Sequence, residues 1–504
     1  MYQYLDSDSI CAISTAPGCG GIAVIRVSGP DAIDIVDKIW HGKSLASVSS
    51  HTAHLGTITD PASPDEPLDS CVATVFRGPR SFTGEDVVEI SVHGSVWIQR
   101  ELINLLIRCG CRLAQPGEFT RRAFSNGRLD LAQAEAVADV IAASSRSAHR
   151  LAASQMRGDF SKKIGGIREK LIEIASLLEL ELDFSEEDVE FASRRHLADL
   201  TSELHNTISR LAATFSTGSA LKNGIPVAIV GEPNAGKSTL LNALLNESRA
   251  IVSDMPGTTR DTIEDTIEID GVLYRFIDTA GLRHTDDRVE NLGIERSFDA
   301  ISRARIVIWL ITPDISAEKL DELHGEIKKH LADGATLLTV INKTDLLHSD
   351  TERQSLADLF GSKQQPVQSA ILHTENQEIA LQKTQEGISQ STVASPTLSA
   401  THPIMISAAT GHNLEELTQA LHTCSGIDLA AEADLVVTNA RHYEALTHAA
   451  NSLRRVLEGL DANISGDFIA QDLRETIHHL SAITGTITTT DLLTAIFENF
   501  CIGK

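Results

Sequence analysis

One eight-residue segment constrains this chain more than any other: residues 231–238 read Gly-Glu-Pro-Asn-Ala-Gly-Lys-Ser. An apolar run, 225–230, precedes the segment, and a helical pattern, 239–245, follows it. This order of strand, glycine-containing loop and helix is typical of a P-loop, in which backbone N–H groups and a helix N-terminus face a polyphosphate. Lys237 is then expected to bind the β- and γ-phosphates, and the Ser238 hydroxyl to ligate Mg²⁺. The sequence therefore predicts a nucleotide site rather than a structural glycine turn.

A second motif indicates which base the nucleotide carries. Residues 342–345 read Asn-Lys-Thr-Asp and follow an apolar run, 337–341, that is typical of a buried strand. The Asp345 carboxylate can accept hydrogen bonds from N1–H and the exocyclic amine of guanine, whereas adenine would leave it unpaired. Residues 407–409, Ser-Ala-Ala, follow another apolar run and fit the loop that backs the guanine edge. The predicted nucleotide is GTP.

Composition limits the other classes of function. The chain has 504 residues, which suggests about three domains, and a net charge of −26. Because a wide RNA-binding surface is usually basic, any nucleic-acid contact is expected to use a local patch or a partner. The seven cysteines include no C-x-x-C pair, so a disulfide framework or zinc ribbon is not expected. With no signal peptide and no apolar run of about 18 residues, we expect a cytoplasmic protein without a transmembrane segment.

The pattern of apolar residues changes several times along the chain. Residues 1–127 are expected to form an α/β domain, and 128–217 a set of helices with apolar stripes. In 218–427 strands and helices alternate, as a doubly wound parallel sheet requires, and 428–504 are again helical. The simplest arrangement is one helical bundle into which the P-loop domain is inserted.

Two segments are expected to lack regular structure. Residues 55–70 are rich in Pro and Asp and are predicted to form a loop. Residues 347–402 are rich in Gln, Ser, Thr and Glu and contain few aromatic residues. We expect this second segment to be a surface insertion that is partly disordered.

Two switch segments are predicted between the P-loop and the guanine motif. Residues 257–261, Gly-Thr-Thr-Arg-Asp, contain a hydroxyl at Thr259 that could close on Mg²⁺, although an ordinary glycine turn is the alternative. A strand pattern, 274–277, leads into Asp-x-x-Gly, where Asp278 is expected to hold Mg²⁺ through water. The Gly281 N–H is expected to bond the γ-phosphate.

The residue after Gly281 bears on the mechanism. It is Leu282, whose isobutyl group cannot orient the attacking water as the glutamine of Ras-like GTPases does. Glu290 is our candidate for that task; alternatively it is one of several solvated acids in the same stretch. Asn234 could help to hold a monovalent cation beside the β- and γ-phosphates, or it could simply stabilise the loop by hydrogen bonds.

Further motifs extend over nearly the whole chain. They are Ala-Pro-Gly-Cys-Gly-Gly at 16–21, Phe-Thr-Gly-Glu-Asp at 82–86, Pro-Gly-Glu-Phe-Thr at 116–120, Leu-Asp-Leu-Ala-Gln-Ala-Glu at 129–135 and Phe-Cys-Ile-Gly-Lys at 500–504. With these motifs the chain resembles the MnmE (TrmE) family of tRNA-modification GTPases. A P-loop alone would indicate only an NTPase, whereas the combination is specific.

The resemblance implies a fold, a reaction and partners. The fold would be multidomain α/β, with a tetrahydrofolate-binding-like N-terminal domain (1–127) that dimerises the molecule, a helical domain (128–217 and 428–504) and an inserted Ras-like G domain (218–427). The family works with the FAD- and NADH-using protein MnmG, in a heterotetramer or larger complex. Together they build an aminomethyl or carboxymethylaminomethyl group at C5 of wobble uridine 34 in certain tRNAs. The one-carbon unit comes from a 5-formyl- or methylene-tetrahydrofolate.

The resemblance also implies roles for individual residues. Glu290 matches the family's catalytic glutamate, and Ser238 and Thr259 match its Mg²⁺ ligands. The implied K⁺ ligands are Asn234, Ser253, Met255 (backbone) and Thr258. The implied folate contacts are Arg26, Glu89, Arg128 and Lys504, and Cys501 matches the tail cysteine without an assigned role. The predicted GTP-binding set is Asn234, Ala235, Gly236, Lys237, Ser238, Thr239, Ser253, Thr258, Thr259, Asp278, Thr279, Ala280, Gly281, Asn342, Lys343, Asp345, Ser407, Ala408 and Ala409.

Two other classes of protein share part of this pattern. A regulatory GTPase of ribosome assembly or translation would need the P-loop and the guanine motif but would have no use for Arg26, Glu89 or Lys504. A tetrahydrofolate titration distinguishes it from the first interpretation. A dynamin-like scaffold would need long heptad helices or a membrane-binding patch, and neither is evident in the sequence.

Overall fold

The chain forms two compact units. The computed structural model describes residues 8–183, 194–247, 265–277, 298–347, 403–427, 435–462, 464–487, 490–498, 500 and 503. The first unit comprises Met1–Ala143, His149–Ala213 and Asn439–Lys504. The second comprises Ser144–Ala148 and Thr214–Thr438, so in sequence it interrupts the first. Among the helices in the described part of the chain, none is both long and apolar enough to cross a bilayer.

The first unit begins with a seven-stranded sheet in the order β3-β4-β5-β6-β2-β1-β7. Its strands are β1 (Ile10–Ile13), β2 (Ile22–Ser28), β3 (Trp40–His41), β4 (Thr52–Thr59), β5 (Pro67–Phe76), β6 (Val87–His93) and β7 (Arg112–Leu113). Neighbouring strands are antiparallel, except that β1 and β7 are parallel. Two helices, α1 (Ala32–Asp37) and α2 (Val96–Arg108), cover this sheet. Alternate residues of the central strands pack against them, and together these side chains form the hydrophobic core of the region.

The predicted loop at 55–70 is wrong at both ends. β4 pairs antiparallel with β5, from Thr52 opposite Val75 to Thr59 opposite Pro67, so only 60–66 connect the two strands. The prolines and aspartates that suggested a loop lie in that turn or at its edges, and Pro67 is the first residue of β5, where a missing N–H is tolerated. The residues on either side of this turn are strand because they pair with each other across β4 and β5.

Helices make up the remainder of the first unit. They are α3 (Glu118–Ser125), α4 (Leu131–Ala142), α5 (Arg146–Met156, whose first residues belong to the second unit), α6 (Asp159–Asp183), α7 (Arg194–Ala213), α12 (Ala440–Asp461), α13 (Gly466–Thr484) and α14 (Thr490–Phe497). α6, α7, α12 and α13 pack together as a bundle. The predicted apolar stripe of α6 is buried there, as Ile164, Leu171 and Ile174 show.

The second unit is built on a six-stranded sheet in the order β13-β12-β11-β8-β10-β9. Its strands are β8 (Ile225–Gly231), β9 (Asp265–Ile269), β10 (Val272–Phe276), β11 (Ile306–Ile311), β12 (Thr336–Ile341) and β13 (Ile404–Met405). Its helices are α8 (Phe215–Asn223), α9 (Lys237–Glu247), α10 (Ala317–His330) and α11 (Leu414–Ser425). All strand pairs are parallel except β9 with β10. The predicted α/β fold class with a parallel sheet is confirmed.

The sheet order explains where a ligand can bind. β8 lies between β10 and β11, and β12 follows β11 in the same direction. The P-loop therefore leaves the carboxyl end of β8, and the guanine motif leaves the carboxyl end of β12 at the same edge of the sheet. Ligands of open parallel sheets bind at this edge.

Candidate nucleotide and folate sites

The P-loop is packed directly against the guanine motif. Gly236 has a φ of +96°, a conformation that glycine adopts without strain, and a Cβ at this position would collide with the side-chain amide of Asn342. That amide donates a hydrogen bond of 2.9 Å to the Ala235 carbonyl. Glycine at 236 is thus required both by its backbone conformation and by the close approach of Asn342.

Asn342 joins three segments of the site. It is 2% exposed; besides its bond to Ala235, its Oδ1 accepts a hydrogen bond of 2.9 Å from the Ala408 N–H. A buried amide with both ends paired holds its neighbours at fixed separations. The P-loop, residues 342–345 and residues 407–409 therefore form one cluster.

Lys237, the first residue of α9, folds over its own loop. Its Nζ donates hydrogen bonds of 2.8 Å to the carbonyl oxygens of Gly231 and Glu232. Burial lowers the pKa of Lys237, and the nearby Glu232 carboxylate acts in the opposite direction. The ammonium group is thereby held on the loop whose N–H groups are expected to bind phosphates, beside the N-terminus of a helix.

Asp345, the predicted acceptor for guanine, is held in place by hydrogen bonds around it. The Ser407 hydroxyl donates a hydrogen bond of 2.7 Å to Asp345 Oδ1, and Thr344 Oγ1 donates one of 2.9 Å to the Ile406 carbonyl. Lys343 is the second residue of the 342–345 motif and has a φ of +60°, so the chain turns sharply there. A carboxylate oriented in this way is suited to accept from the two adjacent donors of guanine.

The structure brings together the described members of the predicted GTP set, and the others lie outside the described residues. Asn234 is exposed on the P-loop with a φ of +64°, and Ser238 and Thr239 lie in the first turn of α9. β10 runs parallel to β8 and leads toward Asp278. The predicted residues outside the described part are Ser253, Met255, Thr258, Thr259, Asp278, Thr279, Ala280, Gly281, Glu290, Cys501 and Lys504, together with positions 348–402 of the insertion.

A second cluster surrounds Arg26 in the first unit. Arg26 on β2 lies opposite Glu89 on β6, and its Nη2 is 2.7 Å from Glu89 Oε1. The guanidinium carbon is 5.4 Å from the ring centroid of Phe82 and 5.6 Å from that of Phe119. Two of the four predicted folate residues are thus in contact, between aromatic rings whose faces favour a cation.

Arg128, the third predicted folate residue, contacts the loop that carries Phe82. A Cβ on Gly84, which has a φ of +82°, would approach the Arg128 side chain to 3.1 Å. Asn126 supports the same loop by donating a hydrogen bond of 2.8 Å to the Thr83 carbonyl. Arg128 is therefore positioned by the segment that follows Phe82.

The end of the chain lies against the same sheet. The Gly503 carbonyl accepts a hydrogen bond of 3.1 Å from Ser14 Oγ, immediately after β1, and β1 is the neighbour of β2. Phe497 and Phe500 pack against Gly117, before α3. Lys504, the residue covalently bound to Gly503, lies outside the described residues.

Sequence reasoning did not assign the buried ion pairs that support this cluster. Arg122 is 1% exposed, and its guanidinium is 3.1 Å from a carboxylate oxygen of Glu85 and 3.1 Å from one of Glu118. Glu85 also accepts a hydrogen bond of 2.7 Å from Ser28, two residues from Arg26 on β2. Glu85 belongs to a motif that the sequence did reveal, but nothing in the sequence indicated its partner.

The comparison with known proteins shows the family. The family model described as "MnmE helical domain" matches residues 131–501, and the one described as "GTP-binding protein TrmE N-terminus" matches 9–128. The curated tRNA modification GTPase MnmE of Parabacteroides distasonis is 50% identical over 501 residues, which cover 98% of this chain and 100% of that one. The chain belongs to the MnmE family of tRNA modification GTPases.

Other members of the MnmE family are similar over the same length. The chain is 48% identical to the protein of Bacteroides fragilis over 504 residues, with 99% of this chain and 100% of that one covered. It is 47% identical to that of Christiangramia forsetii over 506 residues, with 99% of each covered. Membership of the MnmE family confirms the predicted family, the predicted enzyme class of a GTPase in tRNA modification, and GTP as the nucleotide.

Proposed function

We propose that the chain hydrolyses GTP to control, together with an MnmG partner, the addition of an aminomethyl or carboxymethylaminomethyl group to C5 of wobble uridine 34 in tRNA. A tetrahydrofolate derivative bound to the first unit would supply the one-carbon unit, and FAD would be carried by the partner. The observation that carries this proposal is the cluster around Arg26. It joins β2, β6, the 82–85 loop and α3, and the C-terminal tail lies on the same sheet. A regulatory GTPase of ribosome assembly or translation, which has no folate chemistry, has no need of such a cluster.

The side chains of the cluster suit a folate. A pterin is flat and carries amino and N–H donors at its edge, which a carboxylate such as Glu89 can accept. Arg128 and Lys504 are suited to the carboxylates of the glutamate tail, and Arg26 holds Glu89 in a fixed orientation. We propose these four residues as the folate contacts.

Hydrolysis is proposed to follow from the P-loop set. Lys237 and the loop N–H groups would bind the β- and γ-phosphates, and Ser238 with Thr259 would hold Mg²⁺, with Asp278 acting through water. Asn234, exposed on the loop, would hold K⁺ together with Ser253, Thr258 and the Met255 carbonyl. Both cations would offset negative charge on the phosphates. Glu290 would orient the attacking water, since Leu282 cannot.

The GTPase proposal is tested by the choice of monovalent cation. Hydrolysis by the full-length chain is measured in KCl and in NaCl at equal ionic strength, for the natural protein and for Glu290→Ala. We expect a rate at least about tenfold higher in KCl and a loss of about 100-fold or more in the variant with GTP affinity retained. Equal rates in both salts, or an unimpaired variant, would refute this mechanism.

The tRNA and folate proposals need separate measurements. Mass spectrometry of tRNA nucleosides from a deletion strain is expected to show unmodified wobble uridine, and a normal profile would refute the proposed modification. Titration of the chain with 5-formyltetrahydrofolate is expected to saturate, and Glu89→Ala is expected to abolish that binding. A protein that binds no folate would instead fit the regulatory GTPase.

The remaining proposals concern assembly and location. We propose that the chain forms a homodimer through its N-terminal domain and a heterotetramer or larger complex with MnmG in the cytoplasm. Light scattering of the chain alone and with MnmG measures both states. A monomer at micromolar concentration would refute the dimer.

A further inference from the structure

The P-loop contains a carboxylate of its own. Glu232 is the second residue of the loop, and its carbonyl accepts hydrogen bonds from Lys237 Nζ (2.8 Å) and from the Ala235 N–H (3.2 Å). Its backbone is therefore part of the phosphate cradle. A negative side chain at this place would repel a triphosphate, because like charges a few ångströms apart interact strongly where water is partly excluded.

A lysine from another element pairs with this carboxylate. Lys319 lies in the first turn of α10, where its N–H donates to the N-cap hydroxyl of Ser316, and its Nζ forms an ion pair with Glu232 Oε1. The hydrogen bond to Glu232 and the charge of that carboxylate raise the pKa of Lys319. The lysine thus brings a positive charge to the P-loop from a helix residue that lies 87 positions after Glu232 in the sequence.

Stability does not explain the pair. The Lys319 side chain is 54% exposed, and ion pairs at such positions contribute little to the free energy of unfolding. α10 carries a second exposed pair, Lys329 with Glu326, which joins two residues of the helix itself. The two pairs differ in the elements that they join. The Lys319–Glu232 pair places a cation on the phosphate-binding loop, whereas the Lys329–Glu326 pair stays within α10.

We propose that Lys319 is a positioning residue for GTP: it neutralises the Glu232 carboxylate, which would otherwise cancel the positive charge that Lys237 presents to the nucleotide phosphates. Lys319 acts through Glu232 and need not contact the nucleotide. The proposal rests on GTP binding by the second unit and is independent of the folate and tRNA proposals.

The test compares nucleotide binding by variants of the full-length chain. Affinity for a fluorescent GDP analogue and steady-state GTP hydrolysis are measured at low and at physiological ionic strength. For Lys319→Ala we expect Kd and KM to rise by about 3- to 10-fold at low salt and by less at higher salt, with kcat unchanged. Lys319→Arg keeps the charge and is expected to retain the natural affinity.

Two further variants separate charge from structure. The double variant Glu232→Gln/Lys319→Ala lacks both charges and is expected to recover an affinity within about twofold of the natural protein. Lys329→Ala removes the other ion pair of α10 and is expected to leave Kd and KM unchanged. Natural affinity in Lys319→Ala at low salt would overturn the proposal. A double variant as weak as the single one would also overturn it, because the lysine would then act by holding the loop rather than by neutralising it.

Discussion

The nucleotide site and the Arg26 cluster differ in which groups of the chain carry their charge. At the P-loop, the groups suited to a polyanion are backbone N–H groups and one lysine, which main-chain carbonyls hold in place. Around Arg26 the charges are carried by side chains that pair with one another, from β2, β6, the loop before β6, and α3. The P-loop itself depends on local backbone geometry, with Asn342 packed against it from 107 positions away, whereas the second arrangement consists of side chains from segments far apart in sequence. A different kind of substitution is therefore expected to disrupt each site: a backbone change at the P-loop, and loss of a charged side chain in the Arg26 cluster.

The largest expected effect is on the stability of the first unit. Arg122→Ala would remove the guanidinium that contacts Glu85 and Glu118. Because Glu118 keeps its contact with Arg112, we expect a cost at the lower end of the about 3–5 kcal/mol that breaking a buried ion pair carries. We expect the unfolding of this unit in urea to shift to lower denaturant concentration. It is followed by the fluorescence of buried Trp40 in a background in which Trp97 and Trp309 are replaced by phenylalanine. Arg100→Ala, which removes an exposed pair with Glu101, is the control.

The same variant tests whether the two sites are separate. Affinity for GTP should stay within about twofold of the natural value in Arg122→Ala, because its partners Glu85 and Glu118 belong to the first unit. A parallel loss of GTP affinity would show that the two units depend on each other.

The converse change is Gly236→Ala. A side chain here would require an unfavourable φ and would collide with Asn342, so we expect GTP affinity to fall by at least about tenfold. Folate affinity and the urea transition of the first unit should not change. Gly166→Ala on α6, where nothing lies within 4 Å of the added carbon, is the matched glycine control and should leave both sites intact. Undiminished GTP binding by Gly236→Ala would contradict the close packing of Gly236 against Asn342.

A smaller effect is expected at the base. Asp345→Asn replaces the carboxylate that we propose as the acceptor for guanine with an amide that can also donate, at an expected cost of about 1–3 kcal/mol for GTP. Xanthosine triphosphate has a carbonyl where guanine has its exocyclic amine, so its affinity should rise in the variant. Competition between the two nucleotides measures the change, and Asp333→Asn in the exposed turn before β12 is the control. An unchanged preference for GTP would mean that another residue reads the base.

The two sites also differ in how well the sequence predicts them. The P-loop and the guanine motif are contiguous segments at strand ends, and the structure brings both to one edge of the sheet because parallel strands end there. The motifs 82–86 and 116–120 were visible as well, but the pairing of Glu85 with Arg122 was not, since a charged residue in a sequence looks the same whether it is buried or solvated. The same reason hid Lys319 and Glu232. The predicted loop at 55–70 failed because composition alone does not reveal which strand a segment will pair with.

The bond between Ser14 and Gly503 has a consequence for how the protein is made. These residues are separated by 489 positions, so the contact can form only after nearly the whole polypeptide has been synthesised. The P-loop and its guanine motif, in contrast, belong to the second unit, whose last residue is Thr438. A chain that terminates after the second unit but before the tail would therefore keep the P-loop and the guanine motif. It would lack the hydrogen bond between Ser14 and Gly503 in its first unit.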